Sequence, residues 1–175
     1  MAKLKEIDYR ILSGLLRNSK MSDRQLARKL GVSQPTVTRR RAKLEKEHID
    51  GYTAVPRWRK IGYKIFAITL IKATKIFSSK EYSTIREQGL EWLGKQPNII
   101  MGGACEGIGM NSFIISLHES YSDHTKFMLK LRLEMGDFVD DVHSILVDLD
   151  ETSRLKPLHL KYLAETELLA ATRPH

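Results

Sequence analysis

The stretch Gly31–Glu45, GVSQPTVTRRRAKLE, opens a helix with care and then sets three arginines side by side. Ser33 is of the type that caps a helix N-terminus, and Gln34 and Pro35 fill the first turn. Proline is harmless there because first-turn amides have no intrahelical partner. Val37 and Leu44 stand seven residues apart and share a face, so the helix can dock through them. Arg39, Arg40 and Arg41 repel one another, and something beyond the helix must offset that. A row of phosphates would do so; so would carboxylates such as Asp8, Glu45 or Glu47.

Upstream, Ile7, Ile11, Leu12, Leu15 and Leu16 fall on one helical face over Glu6–Asn18. Ser22-Asp-Arg-Gln25 reads as a capping box before a second helix that buries Leu26, Ala27 and Leu30 and stops at Gly31. Helix, short glycine-containing turn, helix is a helix-turn-helix arrangement. Downstream, Ile49–Val55 reads as a short strand and turn, a wing, and Pro56–Lys64 as a basic hinge.

The second half has another rhythm. Strands are expected at 65–71, 98–101, 113–117 and 142–149, with helices from a cap at Ser78 and over 120–135, and a closing helix over Leu158–Ala171. The order β-α-β-β-α-β is that of a ferredoxin-like sandwich. The class is therefore α+β: a winged helix-turn-helix domain at 1–55, the hinge at 56–64, a ferredoxin-like domain at 65–155, and a helix and tail at 156–175.

Charge divides along the same line. Residues 1–64 hold 17 Lys/Arg against 6 Asp/Glu, a net of +11, while the remainder holds 12 against 15, a net of −3. A basic first module suits a polyanionic partner. The single Cys105 allows no internal disulfide and fits a reducing cytoplasm, and no apolar run is long enough to span a bilayer. His48, His118, His124, His143, His159 and His175 show no metal-ligand spacing, so neither metal nor cofactor is expected.

The run EIDYRILSGLLRNSKMSDRQLARKLGVSQPTVTRRRAKLEKE, with IDGYTAV after it, resembles the Lrp/AsnC (feast/famine) family of prokaryotic transcriptional regulators. The likeness is carried by Asp8, Ile11-Leu12, Leu26-Ala27, Leu30-Gly31, Ser33, Arg39-Arg40, Leu44-Glu45 and Gly51-Tyr52, and continues through the strand order of the second half. It implies a non-enzymatic, sequence-specific binder of double-stranded DNA that dimerises through the ferredoxin-like domain and often assembles further. It also implies a small effector, commonly an amino acid, bound between subunits near the β2–β3 connection. The chain departs from the family where Lys46-Glu47 run into His48-Ile49-Asp50 without the usual glycine. A second departure is Gly107-Ile-Gly-Met-Asn111 in place of the usual Gly-x-(Tyr/Phe)-Asp.

On this reading Gln34, Thr36 and Thr38 approach base edges in the major groove, and Arg39 reaches guanine or phosphate. Arg40, Arg41 and Lys43 meet phosphates, and Ser22 and Ser33 either hold phosphates through free amides or simply cap. In GGACEGIGMN (Gly102–Asn111), Glu106, Gly107, Gly109, Met110 and Asn111 are candidate effector contacts; the alternative is a bare hairpin turn. Two other functions compete. One is a siroheme-decarboxylase-like tetrapyrrole enzyme of similar architecture, the other an architectural protein that coats DNA.

Overall fold

Local signals set the helix ends of the first half. The computed structural model describes residues 4–73, 79–150, 152, 156 and 158–166. Helices α1 (Glu6–Arg17), α2 (Asp23–Leu30) and α3 (Gln34–Glu47) follow one another with short turns. The Ser22 hydroxyl accepts the Gln25 N–H at 3.3 Å while Gln25 Oε1 accepts the Ser22 N–H at 2.8 Å, closing the capping box. Gly31 takes φ 69°, a left-handed conformation that costs glycine little, and ends α2.

Ile11, Leu15, Leu26, Ala27, Val37 and Leu44 make the core of this unit, each no more than 5% exposed. Helices α1 and α2 meet at Gly14, where an added Cβ would lie 2.6 Å from Leu26 Cδ2. The sequence reading did not flag that contact. The missing glycine after α3 is made good by the backbone, since the His48 and Ile49 N–H groups both reach Leu44 O, at 2.8 and 2.9 Å. Residues 49–57 form no strand, in contrast to the expected wing. Tyr52 instead donates its hydroxyl to Glu45 Oε1 at 2.8 Å, fastening this segment to α3 through a side chain rather than a ladder.

The chain divides into two compact units, Met1–Val55 with Pro157–His175, and Pro56–Lys156. The basic stretch 56–64 thus falls in the second unit, as a 3-10 turn at Trp58–Ile61 whose Arg59 pairs with Asp148 and Asp150, each at 3.1 Å. At the C-terminus the described residues form a 3-10 turn at Leu160–Glu165 on α1, not a helix closing the sandwich. Residues 167–171 of that expected helix lie outside the described residues.

In the second unit, strands β1 (Ile65–Ala73), β2 (Ile99–Gly107), β3 (Met110–His118) and β4 (Val139–Asp148) form one antiparallel sheet in the order β2-β3-β1-β4. Helices α4 (Ser79–Gly94) and α5 (Tyr121–Met135) cover one face, where Ile71 and Ile114 pack with Trp92, Phe127 and Leu131. The expected cap at Ser78 lies outside the described residues. Strands β2 and β3 run well past their expected ends and draw most of the glycine-rich connection into a hairpin. Glycines here supply close packing as well as freedom, since a Cβ on Gly103 would stand 3.4 Å from the Phe113 ring.

Because strand side chains alternate, β1 turns Phe66, Ile68 and Leu70 to the face without helices. Register places Met101, Ile115, Ile68 and Ile145 in one row across all four strands of that face. Met101 and Ile145 are both more than half exposed.

Candidate nucleic-acid interface

The arginine run is sorted by its neighbours. Asp8 is a buried carboxylate on α1: Oδ2 accepts the Lys5 N–H at 2.9 Å, and Oδ1 accepts Arg40 NH1 at 2.9 Å. Arg40 is therefore held at the junction of α3 with α1, and its Nε is buried without a partner. Arg41 turns the other way. It donates to Glu45 (2.9 Å), Asp23 (3.2 Å) and the carbonyl of Met21 (3.1 Å), and its guanidinium stands 5.4 Å from the Tyr52 ring centroid. The Tyr52 hydroxyl first, and Arg41 second, hold the Glu45 carboxyl below its usual range. Burial opposes the charge on Arg41, but hydrogen bonds to Glu45, Tyr52 and Asp23 outweigh it and raise its pKa.

Two of the three adjacent cations are thus neutralised inside the unit, by Asp8 and by Asp23 with Glu45. Arg39 differs: it is exposed and has no ion-pair partner among the described residues. Gln34 is exposed at the first position of α3. Lys43 lies 3.7 Å from Glu47 in an exposed pair of the kind worth little in water.

The short polar groups are partly occupied. Thr38 donates to Asp23 Oδ2 at 2.7 Å, so it ties α3 to α2. The Ser33 hydroxyl accepts the Thr36 N–H at 3.4 Å and exchanges a 2.8 Å bond with its hydroxyl. Ser22 and Ser33 both cap their helices. Sequence reasoning missed the free cations of α2: Arg24 and Arg28 stand one turn apart, Lys29 follows, and all three are exposed without an ion pair among the described residues. The available signal was the i, i+4 spacing of Arg24 and Arg28 away from Leu26 and Ala27.

The β2–β3 tip is a two-residue turn, Ile108-Gly109, between the paired Gly107 and Met110. Both turn residues have positive φ, 46° and 77°, the sign pattern of a type I′ hairpin. A β-branched residue there is strained, and Ile108 is 83% exposed. Met110 is buried, and Asn111 closes on the end of β1, its Oδ1 accepting the Ala73 N–H at 2.8 Å. Among the described residues Glu106 is exposed with no hydrogen bond or ion pair. One chain therefore builds a tight two-residue hairpin tip here.

A hydrogen-bonded chain that the sequence reading did not assemble lies between β3 and α5. Ser116 Oγ is 2.9 Å from His118 Nε2, and His118 Nδ1 is 3.2 Å from Asp123 Oδ2. An ionised carboxylate only accepts, so Nδ1 carries the proton and the Ser116 hydroxyl donates to Nε2. The order mimics a hydrolase triad, yet Ser116 and His118 are both 0% exposed, so no substrate reaches the hydroxyl. Among the described residues no metal-binding group of three or more His, Cys, Asp or Glu side chains occurs, and no helix is long and apolar enough to cross a membrane.

A capped helix-turn-helix carrying unpaired surface cations, followed by a β-α-β-β-α-β sheet unit, is the two-module build of a helix-turn-helix regulator. Residues 4–45 match the AsnC-type helix-turn-helix domain. An uncharacterized HTH-type transcriptional regulator of Pyrococcus furiosus is 39% identical over 72 residues, 41% of this chain; the match spans about half (49%) of that relative's length. The HTH-type transcriptional regulator LrpC of Bacillus subtilis is 30% identical over 129 residues, covering 70% of this chain and 84% of LrpC. A Neisseria meningitidis transcriptional regulator, solved as its L-Met complex, shares the fold with a TM-score of 0.74 at 21% identity, covering 92% of this chain and 99% of that one. The chain belongs to the Lrp/AsnC family of transcriptional regulators.

Proposed function

We propose that this chain is a sequence-specific, double-stranded-DNA-binding transcriptional regulator that lays α3 in the major groove. The observation that carries the reading is the set of exposed, unpaired cations on α2 and α3 beside two capped N-termini. In this reading Gln34 and Arg39 read bases, Lys43, Arg24, Arg28 and Lys29 meet phosphates, and Arg40 and Arg41, paired within the unit, hold the helices that present them.

The test is binding to duplexes from the gene's own upstream region and to random duplexes across a salt series. Arg39→Ala should cost about 1–3 kcal/mol on the preferred site, whereas Lys43→Ala should weaken all sequences alike and lower the salt slope by about one. Equal affinity for random DNA would favour the coating protein, and no binding in dilute buffer would end the regulator reading.

A second copy completes the molecule. The row Met101, Ile115, Ile68 and Ile145, half-buried in the middle and exposed at its two ends, is an apolar sheet face that pairing with a like face would bury. Ile145→Asp should turn a dimer into a monomer in sedimentation, and an unchanged assembly would discard that face as the interface. The neisserial relative's L-Met supports an amino-acid effector, with Glu106 and the strained Ile108 tip as contacts completed by another copy. Repeating the binding series with added amino acids tests this; identical curves throughout would remove the effector.

A further inference from the structure

The segment 158–166 meets α1. Ser13 and Arg17 lie one helical turn apart, and both donate to the carbonyl of Ala164, at 3.1 and 3.3 Å. Ala164 is 2% exposed and Ser13 is 7% exposed, so the Ser13 bond is sealed from water, while Arg17 reaches in from the exposed side. The segment is shaped for it: His159 Nδ1 accepts the Lys161 N–H at 2.9 Å at its start, and the Thr166 hydroxyl donates to Leu163 O at 2.7 Å at its end. Helix α1 is consequently packed on two sides, by α2 and α3 through Ile11, Gly14 and Leu15, and by the C-terminal segment through Ser13 and Arg17. A three-helix unit of some 50 residues has little core of its own, so a second packed side on its first helix matters.

We propose that residues 158–166 are a clasp on α1, and that the docked clasp is required for full DNA affinity because α1 holds α3 through Asp8 and Arg40. The segment carries one Lys and one Glu, so it supplies order and no net charge. By connectivity it is also a second covalent link from the sheet unit, reached through the end of β4, where Arg59 joins Asp148 and Asp150 to the entering chain. The DNA-affinity half of the proposal rests on the function proposed above; the docking half does not.

The test uses the full chain with two alterations. Ala164→Glu forces a larger, charged side chain into a buried position, and the milder pair Ser13→Ala with Arg17→Ala leaves the Ala164 carbonyl without either donor. Hydrogen exchange at the α1 amides should speed up roughly tenfold or more in Ala164→Glu and less in the double variant, as expected when a local unit opens more readily. Affinity for duplex DNA should fall roughly tenfold in Ala164→Glu with the salt slope unchanged, because no phosphate contact is lost. Unchanged α1 exchange in both variants overturns the clasp. Faster exchange with unchanged affinity overturns its role in binding, and a lower salt slope with unchanged exchange would mean that the segment touches phosphate instead. Should the parent protein bind no duplex, the regulator reading fails, and the exchange result alone still decides the docking.

Discussion

Asp8→Ala is expected to destabilise the N-terminal unit by about 3 kcal/mol, the range found when one partner of a buried ion pair is removed. Two losses combine. The Lys5 N–H loses its acceptor at the start of α1, and Arg40 keeps its charge at a site where Nε already has no partner. Arg40 retains some contact with solvent, 22% of its side chain, which sets the figure at the lower end. Trp58 and Trp92 both belong to the second unit, so tryptophan fluorescence should report an unchanged transition there. Urea unfolding followed through α1 and α3 amide signals should show the loss. Replacing Arg40 as well, by Met, should restore part of it, because the stranded charge goes too. A loss below about 1 kcal/mol would place this pair with ordinary surface bridges and refute its role as the joint between α1 and α3.

Acid should weaken the second unit through two histidines. His118 and His124 meet edge to face with ring centroids 5.0 Å apart, and Phe127 packs on His118 at 5.1 Å. Burial is the largest influence on both and pushes their pKa values below the ordinary 6.5. For His118, Asp123 opposes this in part; for His124, the neighbouring His118 adds to it and Asp123 opposes. His124 Nε2 is also buried without a partner.

The folded protein thus keeps both rings neutral while the unfolded chain accepts protons. The stability they contribute is full above about pH 6.5 and is lost as pH falls through that value toward the folded-state values. With two protons involved, the limiting slope is about 2.7 kcal/mol per pH unit. Melting followed by Trp92, which packs against Phe127, should shift down between pH 7 and 5.5. His124→Phe should flatten the dependence by about one proton. Equal pH profiles for parent and variant would show that these rings titrate normally in the fold.

The helix-turn-helix was legible because its signals are local. Ser22 with Gln25, Gly31, and Ser33 before Pro35 each act within a few residues, and each acts as read. The β-α-β-β-α-β succession was legible for a related reason, since β-branched alternation announces strands wherever they end up in space. Glycine misled: Gly102, Gly103 and Gly107 read as a connection, yet they sit in β2 because the ladder is made by backbone and a Phe113 ring fills the room. The expected wing failed for the opposite reason, as Ile49–Val55 has strand-like composition and no strand beside it among the described residues.

The sequence by itself determined where the three helices of the first unit begin and stop, which of their faces are apolar, and that a basic module precedes a mildly acidic one. Those properties depend on neighbours within a turn or two of chain, or on simple totals. Only the tertiary structure decided which cations remain for a partner. The acids that occupy Arg40 and Arg41 arrive from α1, from α2 and from the next turn of α3, and a carboxylate's reach is measured in ångströms of space, not in residues. The same holds for Ala164 on Ser13, 151 positions apart in the chain and 3.1 Å apart in the fold.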